Sequence, residues 1–314
     1  MENRDEVRAF LTTRRERLSP EQAAIPFYGG RRRVKGLRRE EVAMLAGMST
    51  DYYTRLERGN LGGVSDSVLE SLARALQLDE AERGNLGGVS DSVLESLARA
   101  LQLDEAERGY LFNLANAAKA PSRVTTSGTR SRPRAAARTG VREGVLRILE
   151  TIHAPAYVRN NRFDVVASNR LGRALFSEAY DDGAASFNLA RYTFLDPRSR
   201  EFFVEWERIG RDSVAALRLE AGSNPYDRGL TDLVGELSTR SEEFRAWWAS
   251  HNVKFHYTST KTLRHSVVGE FEVTGESLVL PGDPGLTIVT YTVEPASPAE
   301  EALNFLASWS TQNA

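Results

Sequence analysis

GLRREEVAMLAGMSTDYYTRLERGN, from Gly36 to Asn60, is the stretch that decides how the first part of the chain folds. Its first half predicts a short helix, because its apolar residues recur at helical spacing. Gly47 suits the left-handed backbone of a tight corner, and Ser49 is a suitable N-cap for a second helix over residues 50–58. Two short helices joined at a glycine corner predict a helix-turn-helix.

The second helix of such a motif lies in the major groove of DNA, with its N-terminal residues nearest the base edges. Arg55 can donate two hydrogen bonds to a guanine, whereas Asp51 can serve the helix cap instead. The candidate DNA-binding residues on this helix and its cap are Ser49, Thr50, Asp51, Tyr52, Thr54 and Arg55. An ordinary helical hairpin is the alternative interpretation of the motif alone.

A basic run lies directly before and within the start of this motif. Arginine and lysine side chains neutralise phosphates, which supplies affinity and salt dependence without sequence preference. The candidate phosphate-binding residues of the run are Arg31, Arg32, Arg33, Lys35 and Arg39. Their presence favours DNA binding over the plain helical hairpin.

A 25-residue segment occurs twice in succession. ERGNLGGVSDSVLESLARALQLDEA spans residues 57–81 and is repeated letter for letter over residues 82–106. Solenoid proteins use at least about three diverged units, so we interpret the repeat as one structural helix duplicated in frame and not as a functional array. The first copy keeps its natural connection to the recognition helix. We therefore expect its helix, 65–76, to dock there, and the helix of the second copy, 90–101, to find another apolar surface.

Length and composition indicate an ordinary globular protein of two domains. The chain has 314 residues, 41% of them hydrophobic and 27% charged, which is long enough for about two domains. The sequence has no cysteine, which excludes disulfides and Cys-bound zinc. No stretch approaches the roughly 18 apolar residues of a membrane helix, and the start is charged. We therefore expect a cytoplasmic protein without a membrane partner.

A stretch rich in Pro, Ser, Thr and Arg separates the two predicted domains. PSRVTTSGTRSRPRAAARTG lacks an apolar period and predicts a linker. We place the domains as follows: an all-α helix-turn-helix domain over 1–119, which contains the duplicated segment, a basic linker over 120–140, and a second domain over 141–314.

The second domain predicts an α+β fold. Alternating apolar residues indicate five strands, which lie at Ala156–Val158, within NRFDVVASNRL, around Phe255 and Tyr257, around Phe271 and Val273, and over Leu286–Glu294. Between them, Asp196 and Pro197 open a predicted helix with Phe202, Trp206 and Ile209 on one face. This order places helices over one face of a five-stranded antiparallel sheet and makes a pocket between sheet and helices.

Motifs of catalysis are missing from the sequence. It contains no Gly-x-Ser-x-Gly elbow, no His-Glu-x-x-His, no phosphate-cradling Gly-Lys-Ser/Thr loop and no dinucleotide fingerprint. The four histidines, His153, His251, His256 and His265, have no metal-ligand spacing. We expect neither an enzyme nor a bound metal.

Several motifs in order resemble one known family. They are GRRRVKGLRREEVAMLAGMSTDYYTRLERG, HAPAYVRNNRFDVVASNRLGRALF, LARYTFLDPRSREFF, ELSTRSEEFRAWWASHNV and PGLTIVTYTVEPASPAEEALNFLASW. Together they closely resemble the MmyB-like bacterial transcription regulators over nearly the full length. The second copy of the duplicated segment departs from that pattern.

The resemblance implies an N-terminal DNA-binding domain of the XRE, lambda-repressor-like type and a C-terminal PAS-like domain that holds a long-chain fatty acid such as myristate. It implies no other cofactor, and it links the family to antibiotic metabolism in actinomycetes. We expect a homodimer that binds double-stranded DNA, with two recognition helices at half-sites about one helical turn apart.

The fatty acid needs an apolar channel for its tail and a cation or hydrogen-bond donors for its carboxylate. The candidate tail-binding residues are Phe163, Leu175, Phe176, Phe203, Trp206 and Phe255. The candidate carboxylate-binding residues are Arg170, Arg191, Tyr192, His256 and Arg264. Two alternatives stay open: a repressor whose C-terminal domain only dimerises, and an enzyme that acts on acyl or small aromatic substrates.

Overall fold

The computed structural model of the chain describes residues 3–25, 34–61, 89–119, 140–180, 186–224, 226–253 and 258–312. The chain forms two compact units. The first consists of Met1–Thr125 with the short segments Ala221–Tyr226 and Ser250–Lys254, and the second of Thr126–Glu220, Asp227–Ala249 and Phe255–Ala314. Most of the predicted linker lies outside the described residues. In the described ranges, no helix is long and apolar enough to cross a membrane.

Helices make up the described part of the first unit up to residue 119. They are α1 (Asn3–Arg17), α2 (Arg39–Leu45), α3 (Thr50–Glu57), α4 (Asp91–Ala100) and α5 (Glu105–Lys119). Helix α1 packs against α3 and α5, and α2 packs against α3 and α4. Their shared core contains Phe10, Val42, Tyr53, Leu94 and Tyr110, all of which are buried.

The corner between α2 and α3 has the predicted chemistry. Gly47 has a φ of 68° and no atom within 4 Å of where a Cβ would stand, so its role is the left-handed backbone and not close packing. Ser49 caps α3, because its Oγ accepts a hydrogen bond of 3.2 Å from the backbone N–H of Tyr52. The predicted helix-turn-helix is confirmed.

The surface expected for the second copy is wrong: its helix, α4, packs on the helix-turn-helix through α2 and also packs against α5. The helix of the first copy, 65–76, lies outside the described residues, so its docking on the recognition helix stays a prediction. The second copy keeps its short natural connection to α5. Asp104 caps that helix, because its Oδ1 accepts a hydrogen bond of 2.8 Å from the backbone N–H of Glu107.

A hydrogen bond joins Leu61 and Val89, the described residues on either side of residues 62–88. The backbone N–H of Val89 donates a hydrogen bond of 3.2 Å to the carbonyl of Leu61. Val89 occupies in the second copy the place that Val64 occupies in the first, three residues after Leu61. In a chain with one copy, this bond would close an ordinary four-residue turn. The repeat is therefore accommodated as an insertion in this turn.

Removing residues 62–86 should join Leu61 to Gly87 and restore the four-residue turn without changing any docked residue. We expect the free energy of unfolding of the first unit to rise by about 1–2 kcal/mol, because a shorter loop costs less entropy to close. Urea unfolding followed by circular dichroism measures the difference. A less stable deletion variant would mean that the removed residues contribute packing of their own.

The second unit is an α+β domain. Its strands are β1 (Ala156–Asn160), β2 (Asp164–Ser168), β3 (Phe187–Asn188), β4 (Thr258–His265), β5 (Gly269–Val279) and β6 (Leu286–Thr292). Its helices are α6 (Glu143–Thr151), α7 (Arg170–Leu175), α8 (Leu189–Leu195), α9 (Arg198–Phe202), α10 (Trp206–Ser223), α11 (Arg228–Arg240), α12 (Glu242–Trp248) and α13 (Pro298–Gln312). A short 3₁₀ helix spans Ser177–Ala179.

The six strands form one antiparallel sheet in the order β3-β2-β1-β6-β5-β4. The predicted fold class is confirmed, but the predicted count of five strands is wrong by one. The additional strand, β3, has only two residues, which is too short to show an alternating pattern. Helix α6 covers one face of the sheet, where Val145 and Leu149 pack against Ala156, Val158 and Ile288.

The helix predicted to begin at Asp196 is two helices. It breaks between α9 and α10, where the backbone N–H of Val204 donates a hydrogen bond of 3.2 Å to the carbonyl of Thr262 on the edge strand β4. Phe203 forms an isolated bridge with Leu263 at the same place. A backbone segment that pairs with a strand cannot remain helical. The break therefore places Phe203 over the face of the sheet opposite to the one that α6 covers.

Candidate functional site

The exposed side of α3 carries the residues that the sequence proposes for DNA. Thr50, Asp51 and Arg55 are exposed, and Tyr52 and Thr54 are half-buried. Ser49 is exposed but its hydroxyl is engaged in the helix cap. The helix therefore presents two short polar side chains, Thr50 and Asp51, in its first turn and Arg55 in its last turn. A recognition helix reads bases with such exposed polar side chains, those at its N-terminal end lying nearest the base edges.

The basic run is only partly described. Lys35 is exposed, whereas Arg31, Arg32 and Arg33 lie outside the described residues. Arg39 on α2 is half-exposed and donates from Nε to the buried carboxylate of Glu57. Its guanidinium therefore links α2 to α3, and a phosphate contact would have to use the remaining N–H groups.

Glu57 is the buried anchor of the recognition helix. It lies at the end of α3, with its side chain 2% exposed. It accepts hydrogen bonds from Nε of Arg15 on α1 at 2.6 Å and from Arg39 on α2. The hydroxyl of Tyr53 lies 3.5 Å from the same carboxylate. One carboxylate thus fixes the orientation of α3 relative to both neighbouring helices.

A cavity lies between the sheet of the second unit and the helices that cover its inner face. Strands β1, β4, β5 and β6 supply one wall, and α8, Phe203 and α10 supply the other. Its lining residues are Tyr157, Arg159, Phe163, Leu189, Thr193, Phe203, Ile209, Ser213, Ala216, Ser259, Lys261, Gly275, Ser277, Val289 and Tyr291. Most of this surface is aromatic or aliphatic, with a few hydroxyl groups and two cations.

Strand register sets the floor of the cavity. Ser259, Gly275 and Tyr291 stand side by side on three neighbouring strands. A Cβ at Gly275 would lie 2.8 Å from the ring of Tyr291, so the glycine makes room for this ring in the sheet surface. The Tyr291 hydroxyl lies 3.4 Å from that of Tyr157. Burial raises the pKa of both tyrosines, which keeps them neutral.

The β1–β2 hairpin presents Phe163 to the cavity in an unusual backbone conformation. Its φ is 64°, which is rare for a bulky residue. Asn160 holds the turn, because its Oδ1 accepts hydrogen bonds from the backbone N–H groups of Arg162 and Asp164. The guanidinium of Arg159 lies 4.3 Å from the centroid of the Phe163 ring. The hairpin therefore delivers an aromatic ring and a cation together.

Lys261 and Arg159 are the two cations of the cavity, and both are 8% exposed. The Lys261 Nζ lies 5.5 Å from the centroid of the Tyr291 ring. Across the part of the chain that the structure describes, its ammonium group forms no ion pair and no hydrogen bond. Burying an ammonium group without a partner costs folding free energy. Lys261 is therefore suited to pair with an anionic ligand.

Burial controls the protonation of the polar groups near Lys261. Desolvation lowers the pKa of Lys261 to about 8; Asp212 opposes this shift, and Arg159 and Arg208 add to it. Burial also raises the pKa of Glu220, against the effect of Arg159. Both shifts reduce charge in a region that water reaches poorly.

The cavity is narrow. Its volume with the mouth included is about 550 Å³, but only about 30 Å³ is open to the centre of a water molecule. This space accommodates roughly one or two water molecules. A long apolar tail would therefore fit only if side chains moved aside.

Two of the predicted tail-binding residues, Phe163 and Phe203, line the cavity. Leu175 and Phe176 are buried outside the lining, and the Phe176 ring contacts those of Tyr157 and Tyr291. Trp206 is also buried, and its indole N–H donates a hydrogen bond of 2.8 Å to the Thr193 carbonyl. Leu175, Phe176 and Trp206 therefore form a layer behind the residues that line the cavity. Phe255 lies outside the described residues.

None of the described carboxylate-binding candidates lines the cavity. Arg170 is exposed. Arg191 pairs with Glu236 at 2.8 Å, and Arg264 pairs with Glu270 at 3.1 Å, both at the surface. Tyr192 is buried among the aromatic rings of Phe187, Phe202 and Phe203. His256 lies outside the described residues.

The cations that do reach the cavity, Lys261 and Arg159, were missed by the sequence interpretation. The sequence signal for Lys261 is its position in β4. Ser259, Lys261, Leu263 and His265 are every second residue of this strand and therefore share one face of it. Leu263 and His265 are buried. A lysine two residues before a buried leucine in a strand faces the same side.

Comparison with known families agrees with this geometry. A family model for the MmyB-like transcription regulator ligand binding domain matches residues 141–306, which is more than half of the chain. A model for a helix-turn-helix domain matches residues 6–86. None of the curated proteins is significantly similar to the chain. With its DNA-binding helices followed by a ligand-binding domain, the chain belongs to the MmyB-like transcription regulators.

Proposed function

We propose that this regulator binds a long-chain fatty acid, such as myristate, in the cavity of its second unit. The observation that carries the proposal is the narrow, mainly apolar cavity that contains Lys261, which forms no ion pair with any residue that the structure describes. The tail would lie against Phe163, Phe203 and Ile209, and the carboxylate would pair with Lys261 or Arg159. Such a ligand adds negative charge beside two buried cations, on which the carboxylates of Asp212 and Glu220 also act electrostatically.

The fatty acid acts through a dimer of the regulator in the bacterial cytoplasm. Two recognition helices read half-sites about one helical turn apart. The acid changes DNA affinity only if it binds one arrangement of the dimer better than the other, since equal affinity shifts nothing. Opening of the narrow cavity by the tail is the structural difference that the acid would stabilise.

Native mass spectrometry followed by DNA-binding titration tests this function. We expect a dimer that releases a fatty-acid-sized adduct on activation, and added myristate should change operator affinity by about 5–150-fold. Tetradecanol is the matched ligand, because it has the same tail without the charge. The alternative of a domain that only dimerises predicts a dimer with no adduct and no effect of myristate.

The DNA-binding residues are testable by a pair of substitutions on exposed side chains. Arg55→Ala should weaken binding to the operator by about 1–3 kcal/mol and relax the preference at one base pair, because Arg55 reads a base edge. Lys35→Ala should weaken binding to all DNA about equally and reduce the salt slope by about one. Equal losses from both variants on operator and random DNA would contradict the assignment of Arg55.

A further inference from the structure

Lys261 has a second chemical property besides its charge. Lys261 is 8% exposed and, in the described ranges, no carboxylate or hydrogen-bond acceptor contacts its amine. The charged groups that influence it are Asp212 on α10, which favours the ammonium form, and Arg159 and Arg208, which disfavour it. Together with burial, these influences lower the pKa of Lys261, so a larger fraction of its amine is unprotonated near neutral pH. An unprotonated amine in a desolvated pocket is a nucleophile toward carbonyl carbons.

The walls around Lys261 suit that chemistry. The apolar and aromatic lining accepts a hydrocarbon tail and leaves little room for water, which would otherwise hydrolyse an imine. Thr193, Ser213, Ser259 and Ser277 line the same cavity. Their hydroxyl groups can relay the protons that move when a carbinolamine forms and loses water.

We propose that Lys261 holds long-chain aldehydes covalently in this cavity. The amine nitrogen attacks the aldehyde carbon to give a carbinolamine, and loss of one water molecule then leaves a C=N bond between ligand and protein. No oxidant or reductant takes part, and the bond is broken again by addition of water. This inference rests on the proposed function, since it assigns a second ligand class to the same cavity.

The test uses the full-length protein and decanal. The protein is incubated with decanal near neutral pH, treated with sodium borohydride to reduce an imine to a stable secondary amine, and digested for peptide mass mapping. The chain contains only four lysines, Lys35, Lys119, Lys254 and Lys261, so each can be quantified. We expect one alkyl group per chain, at Lys261. Alkylation of exposed Lys35 to the same extent, or none at Lys261, overturns the proposal.

The expected selectivity follows from the free-amine fraction. An amine with a pKa of about 8 contains on the order of 100-fold more free base at pH 7 than an ordinary exposed lysine. The initial rate at Lys261 should exceed that of an ordinary lysine by a factor of that order. The mapping is made on the unsubstituted chain, so it does not depend on whether a variant folds.

Adduct trapping and myristate binding, both measured on the unsubstituted protein, separate this inference from the proposed function. Lys261→Arg is the chemical control: arginine forms no such imine, so the variant should lose the trapped adduct whatever its affinity for myristate. Myristate binding without a Lys261 adduct in the unsubstituted protein would overturn the covalent site alone. A Lys261 adduct without myristate binding would overturn the fatty acid and leave the aldehyde as the ligand.

Discussion

Glu57→Ala is expected to lower the free energy of unfolding of the first unit by about 3–5 kcal/mol. The substitution removes a buried carboxylate and leaves the buried guanidinium of Arg15 without its counter-ion. It also frees Arg39, which ties α2 to the end of the recognition helix. Urea unfolding followed by far-ultraviolet circular dichroism measures the loss.

Glu40→Ala is the matched control for this prediction. Glu40 is also a helical glutamate that contacts an arginine, Arg38, but its side chain is 64% exposed. Exposed ion pairs contribute little, so the control should change stability by less than about 1 kcal/mol. Similar small losses from both variants would show that the Glu57 cluster does not anchor the recognition helix.

Lys261→Met is expected to act in the opposite direction from Glu57→Ala. It should raise the free energy of unfolding of the second unit by about 1–4 kcal/mol at neutral pH. Methionine fills a similar volume and removes a buried lysine ammonium that forms no ion pair within the described ranges. All four tryptophans, Trp206, Trp247, Trp248 and Trp309, belong to this unit. Tryptophan fluorescence during urea unfolding therefore reports its stability. The same variant should lose affinity for myristate, since the charge that recognises the carboxylate is gone.

The pH dependence gives an independent measure of the same group. Burial lowers the pKa of Lys261 to about 8 from its usual 10.5, so between these values the unfolded chain binds more protons than the folded one. The free energy of unfolding must therefore rise with pH across this window, by about 3 kcal/mol from this residue. Lys261→Met should lack the rise.

Four tyrosines of the second unit limit the useful range of that comparison. Burial raises the pKa of Tyr157, Tyr180, Tyr192 and Tyr291, so above pH 10 the unfolded chain loses protons that the folded chain retains. Their contribution falls as pH rises, opposite to that of Lys261. The difference between wild type and Lys261→Met over pH 7–10 isolates the lysine. A flat difference would mean that its ammonium is well compensated in the folded protein.

Local signals were sufficient to predict the helix-turn-helix. The backbone at Gly47 and the cap at Ser49 depend on neighbours within a few residues, and both are as the sequence indicates. The break before Trp206 was missed because its cause is distant: Val204 pairs with Thr262 on β4. No residue near the break marks its position, since the apolar period continues through it.

The cavity was predicted as a pocket between sheet and helices, but its cations were not. The sequence placed the strand around Phe255 and Tyr257, ahead of the observed β4, so the alternation that points Lys261 inward was not followed. Arg191 was proposed because arginine suits a carboxylate. Its observed partner, Glu236, is 45 residues away, and such a pairing cannot be inferred from local spacing.

The hydrogen bond between Leu61 and Val89 has a consequence for how this gene can vary. Because this bond holds the two ends of the repeated segment together, the entropy of closing the loop is the quantity that changes with the number of copies. Loop entropy grows only with the logarithm of length. Loss of one repeat by recombination between the identical tracts, or gain of another, is therefore expected to change the free energy of unfolding by no more than about 1–2 kcal/mol. Relatives that differ by whole multiples of 25 residues at this turn would be natural length variants of one regulator.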